Sequence, residues 1–145
     1  MTSRGRDPSR WSVHDTRRLV TSIDLDEAAE AALDQHREVS ISALLELELV
    51  SGRRLTLLDD RGWSSGGPDS IWSHLSLQQL EETARAVVGP DEPPEGRSYE
   101  EEAALHWAHL SKIAHRQGVP VQAGELAALP HDVHISPRIR ARLTL

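Results

Sequence analysis

The feature that most constrains the fold is an alternation of apolar and polar side chains over residues 40–49. The apolar set is Ile41, Ala43, Leu45, Leu47 and Leu49, and the intervening set is Ser40, Ser42, Leu44, Glu46 and Glu48. Since successive side chains of a strand point to opposite faces, this pattern predicts a half-buried β-strand. A helix over residues 40–50 is the competing interpretation, because leucine-rich strands are less typical than valine- or isoleucine-rich ones.

Two further strands are predicted beside this one. Ser51 and Gly52 form a turn signal, and the alternation resumes over residues 53–60, which predicts a hairpin. Upstream, residues 17–23 also alternate at period two and predict a short strand. The predicted buried positions on these two strands are Leu19, Thr21, Ile23, Leu55 and Leu57.

Helices are predicted from capping signals and from apolar positions at helical spacing. Asp24 is interpreted as the N-cap of a helix over residues 25–36. Later starts are predicted at Ser76, at Ser98 and at Ser136, with a short helix near residues 124–129. On the long helix that follows Ser98, the predicted buried face is Ala103, Trp107, Leu110 and Ala114. Residues 61–75, rich in Gly and Ser, are expected to form a loop.

These elements predict an α+β fold, a small antiparallel sheet with a βαββ-like start that is covered by helices. We expect residues 1–10 to be a disordered arm and residues 11–145 to form a single domain. The only candidate for a fourth strand is the short segment Val119–Val121.

Composition excludes several classes of protein. The 145 residues include no cysteine, which rules out disulfide scaffolds, iron–sulfur sites and a cysteine nucleophile. No apolar run is long enough to cross a membrane, so we expect a soluble, cytoplasmic protein without a membrane partner. No phosphate-binding loop and no serine-nucleophile motif is present, and no cofactor is predicted.

Charge is distributed unevenly. The net charge is −7, and residues 21–137 carry 21 acidic against eight basic side chains. Such an acidic body repels phosphates and makes nucleic acid an unlikely partner, although arginines at both ends keep that alternative open. It suits a basic protein partner, while solubility alone is the simpler interpretation.

Two tryptophans lie in the predicted loop, where the demand for core side chains is weakest. Exposed tryptophan near acids is typical of a protein–protein contact, whereas a small core without phenylalanine could also recruit one of them. The candidate partner-binding residues are Trp63, Trp72, Asp59, Asp60, Asp91 and Glu92.

Histidine supports an alternative of a different class. Eight histidines are present, and two pairs are each spaced three residues apart. If the fold brought the pairs together, they could hold a metal ion for a small metal-dependent enzyme. The candidate ligands are His106, His109, His131 and His134, with solvated or packed histidines as the simpler interpretation.

Five segments carry a resemblance to a known family: residues 55–64, 80–93, 106–110, 116–119 and 129–133. Over residues 55–143 the chain resembles small actinobacterial accessory proteins of caspase/TPR-linked conflict loci. The resemblance implies a setting in a bacterial conflict system and no catalytic residue. Toxin-immunity proteins are a neighbouring class of similar size and acidity. We therefore expect a non-enzymatic protein-binding accessory, adaptor or immunity-type module.

Overall fold

A computed structural model describes residues 15–26, 38–66 and 71–143. Among them, four strands form one sheet in the order β3-β2-β1-β4. The strands are β1 (Thr16–Leu25), β2 (Glu38–Leu49), β3 (Arg54–Gly66) and β4 (His131–Ile135). The first three are antiparallel neighbours. β4 runs parallel to β1, because the Leu19 N–H donates to the Pro130 carbonyl and the Ser136 N–H donates to the Ile23 carbonyl.

The described helices lie between β3 and β4 and after β4. They are a 3₁₀ turn (Ile71–His74), α1 (Leu77–Val87), α2 (Tyr99–Arg116), α3 (Ala123–Ala128) and α4 (Pro137–Leu143). The predicted α+β class is confirmed. The sheet is mixed and not purely antiparallel as predicted, because β4 pairs parallel with β1.

Burial along β2 follows the alternation in the sequence. All five predicted apolar positions are at most 3% exposed, and the strand interpretation is confirmed over the helix alternative. The turn at Ser51 and Gly52 is also confirmed, with Gly52 at a φ of 93° that favours glycine. Leu19, Thr21 and Ile23 on β1 and Leu55 and Leu57 on β3 are buried as predicted.

The predicted start of the first helix is wrong. Residues up to Leu25 belong to β1, and the Asp24 carboxylate accepts a hydrogen bond from the Leu25 N–H as a strand residue rather than as a helix cap. The rest of that predicted helix, residues 27–36, lies outside the described residues, as does the predicted arm over residues 1–10.

The loop predicted over residues 61–75 is wrong for residues 61–66, because β3 continues to Gly66. Residues 67–70 lie outside the described residues, and Ile71–His74 form a 3₁₀ turn before α1. The Gly and Ser residues indicated a loop, but an edge strand can also carry them at positions where no apolar side chain needs to be buried. As a consequence, Asp59 and Asp60 lie within a strand that continues for six further residues.

The fourth strand is not the predicted one. Val119 and Val121 are buried, but β4 is formed by His131–Ile135. The Val121 carbonyl accepts hydrogen bonds from the Ser111 hydroxyl at 2.7 Å and from the His115 ring at 3.1 Å. These contacts connect Val121 to α2, which explains its burial without a place in the sheet.

Capping follows the sequence closely. Ser76 and Ser98 each form a capping box at the start of α1 and α2, and the Ser136 hydroxyl accepts from the Ile139 N–H at the start of α4. The buried face of α2 differs in part from the prediction. Leu110 and Ala114 are buried, His106 is buried beside them, and Ala103 and Trp107 are half-buried at the margin.

Contacts divide the chain into two compact units, and every strand contributes residues to both. Unit 1 is Met1–Leu19, Glu46–Leu57 and Gly89–Asp132, and it contains α2 and α3 packed against each other. Unit 2 is Val20–Leu45, Leu58–Val88 and Val133–Leu145, and it contains α1, the 3₁₀ turn and α4. One domain over residues 11–145 stays a prediction. In the described ranges, no helix is both long enough and apolar enough to cross a membrane.

The packing of α2 can be tested with two leucines of the same helix. Leu110 is fully buried, so Leu110→Ala should lower the free energy of unfolding by about 2–5 kcal/mol. Leu105 is 52% exposed, and Leu105→Ala should change the free energy of unfolding by no more than about 0.5 kcal/mol. Urea denaturation measures both. Equal losses from the two variants would show that α2 buries a different face.

Candidate functional site

One face of the sheet in unit 2 is polar. Even-numbered residues of β1 and β2 share a face because strand side chains alternate, and here that face carries short hydroxyl and carboxylate side chains. They are Ser22, Asp24, Ser40 and Ser42. Two adjoining grooves lie here, of about 480 Å³ and about 280 Å³, and both are lined by Ser42. We call this surface the serine–aspartate face.

The larger groove crosses the sheet. Its lining includes Asp59 of β3 at one edge and His134 of β4 at the other, with residues of β2 and β1 between them. Three spacings between neighbouring strands amount to about 14 Å, which is the span the groove covers. Neither Asp59 nor His134 makes an ion pair or a hydrogen bond to another described residue. Both side chains are exposed.

Asp24 shows how a guanidinium is held on this face. The Arg138 side chain donates to both carboxylate oxygens, from Nε at 3.2 Å and from Nη2 at 3.0 Å. Burial raises the pKa of the Asp24 carboxyl, but hydrogen bonds from Arg138, Ser136 and the Leu25 N–H outweigh it and leave the pKa below its ordinary value. Asp24 is thus ionised and satisfied within the chain.

The smaller groove is lined by Asp26, Asp60, Arg61 and Trp63, among others. The Arg61 Nη1 donates to the Val87 carbonyl at 3.2 Å, at the C-terminal end of α1, where the helix dipole favours a cation. The Asp60 Oδ1 is 3.8 Å from the Arg61 Nε, and the Asp60 side chain is 80% exposed. The Asp60 carboxylate thus makes a long ion pair with Arg61 and is largely exposed to solvent.

Gly62 brings β3 close to β2 beside the smaller groove. A Cβ atom at this position would lie 2.5 Å from the Ile41 carbonyl oxygen, closer than real Cβ atoms come. Ser64 and Ser40, whose hydroxyls are 3.5 Å apart, continue the contact between these strands. Glycine is therefore required for the backbone approach that shapes this groove.

The two candidate tryptophans have different surroundings. Trp63 is half-buried on β3 and lines the smaller groove. Trp72 is half-buried in the 3₁₀ turn, and the guanidinium of Arg142 on α4 lies 5.4 Å from the centre of its ring. Its indole nitrogen is buried. Trp72 lines neither groove, so the predicted pairing of Trp63 and Trp72 on one exposed loop is not what the structure shows.

The remaining acidic candidates lie in unit 1. Asp91 and Glu92 are exposed in the segment between α1 and α2. The predicted partner-binding set is thus divided: Asp59 lines the larger groove, Asp60 and Trp63 line the smaller one, and Asp91 and Glu92 belong to the other unit.

The four candidate metal ligands are dispersed. His106 is buried on α2, His109 is exposed on the same helix, and His131 and His134 lie on β4. His106 contacts the Trp107 ring edge to face, with ring centres 5.0 Å apart. Within residues 15–26, 38–66 and 71–143, no three His, Asp or Glu side chains are grouped to hold a metal ion. The described chain does not assemble the four-histidine site.

An ion-pair network in unit 1 was missed by the sequence analysis. Arg18 donates to both carboxylate oxygens of Glu48, at 2.7 and 3.2 Å, and to Asp132 at 2.7 Å. Glu48 is only 5% exposed. The hydrogen bonds from Arg18 hold the pKa of Glu48 below its ordinary value although burial opposes them, and the same bonds raise the pKa of Arg18. No local signal reports this network, because residue parity assigns a shared face only within one strand and β4 was not predicted.

Comparison with known proteins adds nothing to this geometry. No protein-family model, no curated protein and no solved structure matches the chain. Function is therefore inferred from the residues of the serine–aspartate face and from the charge of the chain.

The Arg18–Glu48 pair gives a pH-dependent prediction. Because the folded state lowers the pKa of Glu48, the pair stabilises the fold above the ordinary glutamate pKa of about 4.3 and loses this effect as the pH falls through the lower, folded-state value. Glu48→Gln should lower the melting temperature at about pH 7, and its gap from the unmodified protein should close towards about pH 3. Differential scanning calorimetry measures the gap. A gap that does not change with pH would contradict the ionic role.

Proposed function

We propose that the protein is a non-enzymatic protein-binding module that holds a basic segment of a partner protein on the serine–aspartate face. The observation that carries this proposal is the set of carboxylates around the two adjoining grooves. Four aspartates line them: Asp24, Asp26, Asp59 and Asp60. Among the described lining residues the basic side chains are Arg61, which donates to α1, and His134, while Asp24 is paired with Arg138.

The internal pair on this face supports an arginine or lysine as the group recognised. Asp24 already holds the guanidinium of Arg138 through two hydrogen bonds. Asp59 and Asp60 offer the same chemistry on β3, with carboxylates that face solvent. Basic side chains of a partner would find there the same pairing that this chain uses for its own arginine.

The apolar parts of the grooves suit the stems of such side chains. Leu44 lines the larger groove, and Trp63 lines the smaller one. Arginine and lysine place their methylene stems along apolar surface while the charged end reaches a carboxylate. Tryptophan is also among the residues that contribute most at protein–protein contacts.

Charge also favours a protein over a nucleic acid. The chain has a net charge of −7, and the carboxylates of the grooves would repel a phosphate backbone. The resemblance over residues 55–143 supports placing this binding role in a bacterial conflict system, as an accessory, adaptor or immunity factor in the cytoplasm.

Neutralising the two β3 aspartates tests the proposal. The probe is an octapeptide of alternating arginine and threonine, and its affinity is measured by isothermal titration calorimetry. Asp59→Asn with Asp60→Asn should weaken binding about tenfold, because two exposed ion pairs of about 0.2–1 kcal/mol each are lost.

A matched control removes two acids elsewhere. Glu95→Gln with Glu100→Gln changes the net charge by the same amount at exposed positions in unit 1. We expect this variant to bind the peptide as the unmodified protein does. Equal weakening by both variants, or no binding of the peptide to the unmodified protein, would contradict the proposed site.

A further inference from the structure

We propose that the basic partner segment binds as an added β-strand along the outer edge of β3. This inference rests on the proposed function and specifies how the partner is held. In the sheet of the described residues, β3 is an edge strand with β2 on one side only. An edge strand presents unpaired backbone N–H and C=O groups, to which an extended peptide can hydrogen-bond.

The two edges of the sheet differ in length and protection. β3 has 13 residues, whereas β4, the other edge, has 5. Proteins usually protect an exposed edge with charged side chains, above all lysine, with proline, or by keeping the strand very short. β3 is long and contains neither lysine nor proline, and its charged residues are Arg54, Asp59, Asp60 and Arg61. It is therefore the edge with room for an added strand.

The start of this edge is closed by the chain itself. The Gln117 side-chain amide donates to the Thr56 carbonyl at 2.9 Å. In an antiparallel strand the N–H and C=O of one residue point to the same side, so both groups of Thr56 face away from β2. Gln117 covers that position, and no comparable side-chain bond to a β3 carbonyl is seen over residues 58–66 among the described contacts. The open part of the edge is residues 58–66.

The charge of the open part selects the occupant. Asp59 and Asp60 lie within it and are exposed, whereas Arg61, the basic residue of this stretch, is half-buried and donates to the Val87 carbonyl of α1. A second copy of this chain paired antiparallel about these residues would bring like charges together, which destabilises strand pairing. A basic segment would place opposite charges there. Its side chains would alternate between the two faces of the sheet, and those on the groove side would reach the carboxylates of the proposed site.

Backbone methylation of the probe peptide separates strand addition from attraction between charges. The arginine–threonine octapeptide is compared with two N-methylated versions of the same peptide. One version is methylated at every odd-numbered residue and the other at every even-numbered residue. Methylation removes the donors on one edge of the peptide and keeps every charge. One of the two methylated peptides should bind the full chain at least about tenfold more weakly, because several backbone hydrogen bonds are lost. Hydrogen exchange should slow at alternate amides of residues 58–66 only with the unmethylated peptide.

Each other outcome overturns the inference. If all the peptides bind with the same affinity and Asp59→Asn with Asp60→Asn lowers the affinity for all of them, the proposed basic-segment function stands and strand addition is wrong. If none binds, both fail. If the chain dimerises alone in sedimentation and residues 58–66 are then protected without peptide, the occupant of the edge is a second copy.

Discussion

Burial of every second side chain of β2 is the constraint on which the rest of the structure depends. β2 lies inside the sheet, between β3 and β1, and its apolar set is almost completely buried. A shift of one residue would bring Ser and Glu side chains into the core. The register is therefore fixed, and the polar residues are fixed on the opposite face. The serine–aspartate face follows from the same alternation that builds the core.

Carboxylates on the sheet serve two different purposes. Glu48 is buried and held by two bonds from Arg18, so removing Arg18 would leave a buried charge unpaired. Asp59 is exposed and makes no ion pair with a described residue. A carboxylate of the first kind maintains the fold, and one of the second kind is available to a partner. This contrast is the reason for assigning the interaction surface to β3.

Local patterns in the sequence predicted the elements that depend on local physics. The capping boxes at Ser76 and Ser98 and the alternation of β2 involve neighbours in the chain, and all three were predicted. β4 was missed because a strand of 5 residues with charged and histidine side chains gives almost no periodic signal. Its parallel pairing with β1 involves residues more than 100 positions apart, which no local pattern reports.

The candidate site was predicted only in part, for the same reason. Asp59, Asp60 and Trp63 were identified from residue type, but their place on a strand required the register of β3 against β2, including the close approach at Gly62. Asp24 was assigned to a helix start, because an aspartate before an apolar helical pattern has the same local signature in both settings. Its true partner, Arg138, is 114 residues away.

We propose that a basic segment is held on the serine–aspartate face and the β3 edge. Residue-resolved amide NMR during titration with the arginine–threonine octapeptide tests it most directly. The account predicts saturable shifts confined to residues 24–26, 40–44 and 58–66, with Asp59 and Asp60 among the largest. Shifts centred instead on residues 91–105, where Asp91, Glu92 and the acidic first turn of α2 lie, would contradict it.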